Sequence, residues 1–319
     1  MVLDAKQADR QVIVLAGGVG GAKLAYGVSG LVAPERLAIV GNVADDFELY
    51  GLHISPDLDT LMYTLAGVAN PATGWGVEGD TRQMLDMLAC FGETPWFGLG
   101  DRDLATHLLR TSWLAGGATL TAVTARLVAA LGVGCRLLPA TDDLLRTMID
   151  TREMGTLGFQ EYFVRHRWQP VVERVWFRRG ESCRVTEQVR AALDSADLIL
   201  IAPSNPVLSI GPILAVDGMR DLLTKRRGPC IVISPFVAGR AVKGPADKLM
   251  RELSLENSPR GVAQFYAGLI DGLVIDRKDA DAPQPGDIPV LVTDTLMMTG
   301  ADKVRLAGEA LAFGGNLTK

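Results

Sequence analysis

Apolar positions fall into two patterns along the chain. Short runs rich in Val, Ile and Leu occur at 11–16 (QVIVLA), 37–40, 197–202 (DLILIA), 230–234 (CIVIS), 272–276 (GLVID) and 288–294 (IPVLVTD). Runs of this length without polar alternation predict strands covered on both faces, as in a parallel sheet. Elsewhere apolar residues return at three- and four-residue spacing, in TRQMLDMLACF, DLATHLLRTSWL and LTAVTARLVAAL between 80 and 131, and again over 261–269 and 301–312. That period predicts helices.

The first run stops at Gly17, Gly18, Gly20 and Gly21, and a helix is expected from Ala22. The second ends at Gly41-Asn42 and opens into a polar loop reaching Pro56, so the order fits a parallel βαβ unit. Residues 135–180 change character: CRLLPA, TMIDT, GFQEYFVRHRW and VVERVWF are short β-branched and aromatic runs that predict a strand-rich excursion. The expected fold is α/β, a doubly wound, mostly parallel Rossmann-like sheet in one domain over 1–319. Its core comes from 11–70 and 190–319, and 71–189 is inserted as a cap, helical over 75–132 and strand-rich over 135–180.

A length of 319 residues supports one large core with such an insertion. With 48% hydrophobic and 22% charged residues the chain resembles a folded enzyme rather than a disordered one. A net charge of -5 argues against a nucleic-acid partner, so an anionic small ligand needs local help from backbone N–H groups, a metal or a few placed bases. Cys90, Cys135, Cys183 and Cys230 are widely spaced with no CxxC, which predicts packed, reduced thiols rather than zinc or disulfides. The first ten residues, MVLDAKQADR, lack the apolar stretch of a signal peptide, and no run reaches the roughly 18–20 apolar residues of a membrane span. A cytoplasmic location without a membrane partner is therefore expected.

Gly17-Gly18-Val19-Gly20-Gly21-Ala22-Lys23 lies between a strand and a helix, the setting of a phosphate-binding turn, where helix N–H groups and the positive dipole end meet an anion. It is not a Walker loop, and the third glycine of the dinucleotide fingerprint is missing. After the second strand come Asn42, Asp45 and Asp46, then Asp57, Asp59 and Thr60, at carboxyl ends of strands or at helix starts. Asp57 is equally readable as a helix cap. Carboxylates so near a phosphate loop would repel a diphosphate, and Mg²⁺ is the simplest bridge between them. Gly98-Leu99-Gly100-Asp101-Arg102-Asp103 precedes His107; Asp101 suits a helix cap, while Arg102 and His107 are candidates to reach substrate. Pro203-Ser204-Asn205-Pro206, with Ser209 behind it, follows a buried strand as a rigid loop that offers hydrogen bonds to a base or phosphate. Ser234-Pro235 and Lys243-Gly244-Pro245 repeat the theme more weakly, and His53 and His166 are isolated. No pattern for a covalent nucleophile occurs, so the chemistry expected is metal-assisted displacement.

Together, AGGVGGAK at 16–23, PDLDT at 56–60, GWG at 74–76, WFGLGDRDLATH at 96–107, APSNPVLSIGPIL at 202–214 and GPADKL at 244–249 resemble the 2-phospho-L-lactate transferase family (CofD/FbiA type) of coenzyme F420 biosynthesis. The resemblance implies that the terminal ribityl hydroxyl of the deazaflavin Fo attacks a guanosine diphosphate ester, taking up a phospholactyl or phosphoenolpyruvyl group and releasing GMP with Mg²⁺. It further implies that the glycine loop, Lys23 and Pro203–Ser209 hold the guanosine diphosphate portion. Asp45 and Asp59 would be metal or Fo-hydroxyl contacts with Asp57 in support, and Arg102 would face the transferred group. Archaeal-type members resemble KLGDRD where this chain has Gly98, so a lysine contact to Fo is missing there. The segment is closer to the actinobacterial type and its enolpyruvyl donor, with lactyl and glyceryl donors left open. A homodimer is expected from exposed helical surface. Two other readings stand beside this one: a nucleotide-sugar-binding regulator of the YvcK type, and an NAD-dependent dehydrogenase, which Gly41-Asn42 disfavours because the acid expected after the second strand is absent.

Overall fold

The run at 11–16 forms strand β1, Val12–Ala16, and every residue of it is buried, the condition of a strand covered on both faces. The computed structural model describes residues 10–317; residues 1–9, where most of the segment read for a signal peptide falls, lie outside them. β1 sits at the centre of a seven-stranded sheet ordered β14-β13-β10-β9-β1-β2-β5, with every neighbouring pair parallel. Its members are β2 (Leu37–Gly41), β5 (Arg136–Pro139), β9 (Leu198–Ile201), β10 (Cys230–Ile233), β13 (Gly272–Asp276) and β14 (Val290–Thr293). Val12 is in register with Leu37 on one side and Leu198 on the other. The chain winds outward from β1 through β2 to β5, returns to β9 on the other flank, and winds outward again to β14. The direction therefore reverses between β1 and β9, the switch point at which open α/β sheets bind ligands. This is the expected doubly wound sheet.

Helix α1 (Gly18–Ser29) begins at Gly18, four residues before the expected start, so the glycines form its first turn rather than a loop ahead of it. Beyond β2, the polar stretch contains a hairpin of β3 (Phe47–Leu49) and β4 (Leu52–Ile54), whose turn places Tyr50 and Gly51 at positive φ. Three-residue strands leave too little alternation to be read in advance. Next come α2 (Pro56–Leu65), α3 (Gln83–Cys90), α4 (Asp103–Ala115) and α5 (Leu120–Ala130), all before β5.

Arg136–Pro139, expected in the strand-rich excursion, instead joins the main sheet beside β2, with Leu137 and Leu138 buried. The excursion proper is a three-stranded antiparallel sheet ordered β7-β6-β8, from β6 (Leu145–Thr151), β7 (Gly155–Gly158) and β8 (Val172–Arg179). Between β7 and β8 the aromatic run expected as a strand forms a wide helical turn over Glu161–Arg165. After α6 (Glu187–Asp194), α7 (Gly211–Leu214) and α8 (Met219–Lys225), the small hairpin β11 (Phe236–Val237) and β12 (Arg240–Ala241) precedes α9 (Ala246–Glu252) and α10 (Pro259–Phe265). Cys135, Cys183 and Cys230 are buried, while Cys90, expected to be packed, is exposed at the end of α3. No helix of the described residues is long and apolar enough to cross a membrane.

The closing helix α11 (Gly300–Asn316) packs on α1 and on β9 and β10. A side chain at Gly27 would run into the backbone carbonyl of Lys303, so α1 and α11 meet backbone to backbone there. Gly27→Val is expected to lower the unfolding free energy in urea by about 3 kcal/mol. Gly286→Ala, which faces open space, should leave it unchanged. Equal midpoints for the two variants would show that the helices do not meet this closely.

Candidate active site

A cavity of about 700 Å³ opens at the carboxyl edge of the sheet. Its floor consists of the segments that leave the parallel strands: Gly17–Gly20 after β1, Asp45 after β2, Pro203–Ser209 after β9, Ser234-Pro235 after β10 and Thr295–Met298 after β14. At the switch point the first and third of these interlock. Ser204 Oγ donates to the Gly17 carbonyl at 2.8 Å and accepts the Gly17 N–H at 3.2 Å. A side chain at Gly20 would strike the Pro203 carbonyl oxygen, at 2.6 Å. Only Gly18 of the four glycines faces open space, and its φ of +64° is one that other residues rarely adopt. Most of the glycine cluster is thus required by close approach of the neighbouring loop, and Gly18 by its turn into the helix. Gly21 packs on Ser204 and Ala16 beneath the cavity surface. Lys23, one turn into α1, lines the cavity and donates to the Met297 carbonyl at 2.9 Å.

Asp57 does not cap its own helix. Its Oδ1 accepts the Gly18 N–H at 2.9 Å and its Oδ2 accepts from Asn42 Nδ2 at 3.0 Å, while Asn42 Oδ1 accepts the Ala44 N–H. Asp45 lines the cavity, accepts from Thr147 Oγ1 of β6 at 3.3 Å, and its carbonyl accepts from Gln160 Nε2. Asp46 lies behind, accepting from Ser55 Oγ at 2.8 Å and 3.0 Å from His53 Nε2; its second oxygen is buried without a partner. Burial, followed by the neighbouring Asp57 charge, holds the Asp45 carboxyl well above the usual range. Burial likewise pushes Asp57 up to about 6, against the pull of Asn42 and Gly18. Among the described residues neither carboxylate pairs with a cation; the groups that favour their charged forms are Asn42, the Gly18 amide and Thr147. Two buried, uncompensated carboxylates beside a helix N-terminus are a hard-oxygen donor set, and they fit Mg²⁺ bound jointly with phosphate oxygens.

Asp59, the other expected metal ligand, is compensated already. Both of its oxygens accept from the guanidinium of Arg110, a residue 1% exposed. His107 Nδ1 lies 3.7 Å from Asp59 and Nε2 3.3 Å from Asp103, and the Tyr63 hydroxyl donates to Asp103 at 2.7 Å. Asp59, Asp103 and His107 bring ligand atoms close enough to surround an ion. Arg110, however, holds a positive charge in that position, and the histidine is softer than Mg²⁺ prefers, so the Asp45 and Asp57 pair fits better. Burial raises the Asp59 pKa against the lowering influence of Arg110 and His107.

Of the residues singled out in the sequence, Gly17, Gly18, Gly20, Lys23, Asp45, Asp57, Asp59, Gly98, His107, Ser204, Asn205 and Ser209 all line this one cavity. Gly98 lies under the indole of Trp75. Asn205 spends its side-chain oxygen capping the Val207 and Leu208 amides, and Pro206 is buried behind it. Asn42 and Asp46 support the floor from beneath. Asp101 and Arg102 are not brought to it. Asp101 accepts from the Gln83 and Met84 amides at the start of α3, while Asp80 accepts from those of Arg102 and Asp103 at the start of α4. This reciprocal capping points the exposed Arg102 outward, toward the Glu78 carbonyl. Sequence reading missed Arg110, Tyr63 and Asp103, and the cavity-lining aromatics Trp75, Phe97, Phe159, Phe163 and Trp168. Asp103, His107 and Arg110 recur at helical spacing on one face of α4, a signal that could have found Asp103 and Arg110.

A family model described as 2-phospho-L-lactate transferase CofD matches residues 12–287. The chain is 42% identical over 277 residues to a phosphoenolpyruvate transferase of Streptomyces coelicolor, spanning 85% of this chain and 87% of the relative. It is 39% identical over 297 residues to one of Streptomyces griseus, spanning 89% and 93%, and 40% identical over 289 residues to one of Thermobifida fusca, spanning 86% and 89%. Among solved structures, a member of the UPF0052 family from Bacillus halodurans shares the fold, with a TM-score of 0.60 over 95% of this chain and 99% of that one, at 14% identity.

A folded-state pKa raised above the unfolded value means that stability from protonated Asp57 is complete below about pH 4 and is lost as pH rises through about 6. In cation-free buffer, the unfolding free energy of the wild type relative to Asp57→Asn should therefore fall between pH 4 and 7, by on the order of 2 kcal/mol. A flat difference would remove the uncompensated-charge account. Arg110→Met should cost about 3–5 kcal/mol in urea unfolding by stranding Asp59, and Arg110→Met with Asp59→Asn should recover most of it. Equal losses for the single and double variants would show the pair to be uncoupled.

Proposed function

The chain belongs to the 2-phospho-L-lactate transferase CofD family, and from this premise we propose that it transfers a phosphoenolpyruvyl or 2-phospho-L-lactyl group from a guanosine diphosphate ester to the terminal hydroxyl of the deazaflavin Fo, releasing GMP. Relatives named phosphoenolpyruvate transferase favour the enolpyruvyl donor. The observation that carries the reading is the pair of buried carboxylates, Asp45 and Asp57, without a counter-cation among the described residues, beside the N-terminus of α1 in one cavity. The amides of Val19 and Gly20 in the first turn, with Lys23, suit the diphosphate. Lys243 lines the same cavity, without an ion pair among the described residues. Asp45 and Asp57 would hold Mg²⁺, which supplies neutralisation of phosphate charge and Lewis acidity at the phosphorus.

The remaining work belongs to the chain itself. As the new O–P bond forms and the P–O bond to GMP breaks, the hydroxyl proton needs an acceptor. Asp59 suits that role, since it is fixed by Arg110, lines the cavity and has a raised pKa. Thr147 and Asn42 keep the flanking carboxylates aimed. Such a reaction asks a protein for positioning and charge neutralisation rather than for a covalent intermediate. The homodimer expected from the sequence remains a proposal, supported by exposed Met87, Phe91, Leu108 and Leu109 on α3 and α4, and sedimentation decides it.

Purified protein given Fo, Mg²⁺ and each donor in turn should release GMP and yield an Fo adduct whose mass identifies the donor. EDTA should stop release and added Mg²⁺ restore it. Asp59→Asn should lower kcat about a hundredfold or more while the variant is still folded, and because it strands the buried Arg110 its thermal midpoint should fall too. Donor binding without GMP release under all of these conditions would make the protein a nucleotide-ester binder and not a transferase.

A further inference from the structure

We propose that Phe159, Phe163 and Trp168 form a stacking shelf for the planar, fused heteroaromatic ring of a ligand, beside Asp45. All three rings line the cavity, and Arg167 lies on the same wall. Phe159 and Phe163 stack with centroids 5.2 Å apart and planes 21° apart; Phe163 and Trp168 are 5.1 Å apart at 47°. Phe159 and Phe163 rest on the core and are only half-buried, while Trp168 is 40% exposed. The shelf thus has a packed inner face and an apolar face left toward the cavity.

The turn that carries the rings is tied down by several contacts. Glu161–Arg165 forms a wide helical turn, a rare form that is frequent at functional sites. Arg167 and Trp168 follow it at φ of 51° and 49°, backbone that side chains other than glycine adopt only when the surroundings enforce it. Here the enforcement is visible. Tyr162 is wholly buried under the turn, its carbonyl accepts the Trp168 N–H at 2.9 Å, and its hydroxyl accepts from Lys248 Nζ at 3.2 Å. Lys248 also donates to the Pro170 carbonyl and pairs with Glu252. One residue before the turn, Gln160 donates to the Asp45 carbonyl, so the rings are registered to the reacting end of the cavity.

Flat aromatic faces held at fixed spacing recognise flat π-systems by offset stacking, and a neighbouring guanidinium strengthens such contacts. The proposed function contributes only the choice of probes, because guanine and the deazaflavin are both rings of this kind. Titration calorimetry on the full chain would use GDP, Fo and inorganic pyrophosphate, with Phe163→Leu, Trp168→Leu and the ring-preserving Phe163→Tyr. Phe163→Leu and Trp168→Leu should each weaken one ring-bearing probe about tenfold, leave pyrophosphate unchanged, and be matched by near-normal binding in Phe163→Tyr. Weakening confined to GDP assigns the shelf to guanine, and weakening confined to Fo assigns it to the deazaflavin. Affinities within twofold of the wild type for both ring probes, or an equal loss for pyrophosphate, would overturn the proposal. Trp168→Leu, at the exposed end, keeps the test open should Phe163→Leu misfold. No transfer is measured, so the shelf and the transferase reading stand or fall separately.

Discussion

Asp57 ties the site together. One carboxylate, on the first turn of α2, accepts the leading amide of α1 and the side-chain amide of Asn42 from the loop after β2, and so joins three segments at the cavity floor. On the other flank, Ser204 performs the same service between the loops after β1 and β9. These contacts account for the glycines between them, since a side chain at Gly17 would meet the Asp57 carboxylate, and one at Gly20 the Pro203 carbonyl. The turn is shaped first by its neighbours and only then by what it binds.

Charge is handled differently at the two ends of the acidic region. Asp59 has the fully buried Arg110 as its partner, with His107 and Asp103 around it, a set nearly balanced within the protein. Asp45 and Asp57 have amides and a hydroxyl but, among the described residues, no cation, and burial together raises their pKa values. A balanced cluster holds its shape with or without ligand, whereas an unbalanced one gains most when positive charge arrives. The first suits proton acceptance and the second suits ion and phosphate binding.

The insertions complete this arrangement rather than decorate it. Helix α4 carries Asp103, His107 and Arg110 to the cavity on one face. The three-stranded antiparallel sheet contributes Thr147, which holds Asp45, and leads into the turn bearing Phe159 and Phe163. The loop at Lys243 crosses to the loop at Thr73, so the mouth is framed by segments far apart in the chain.

Six of the seven strands of the main sheet were legible as apolar runs; five of them are buried throughout and so carry no polar alternation to confuse the pattern, while the edge strand β14 is half-exposed and was legible from its Val- and Leu-rich run alone. The glycine turn, the acids after β2 and the Ser204 loop were legible because ligand-binding segments of such sheets follow the carboxyl ends of strands. What escaped depended on partners distant in sequence. Leu137 and Leu138 look alike whether their strand edges the main sheet or a small one, and only pairing with β2 settles it. Arg102 reads as a residue that reaches substrate until Asp80 is seen to hold the amides beside it and turn it to solvent. Composition, spacing and order thus determined the sheet and which of its edges carries the glycine turn and the acids. Tertiary structure alone decided which carboxylate meets a cation and which does not, because burial and Coulomb energy depend on distances between segments that the linear order leaves free.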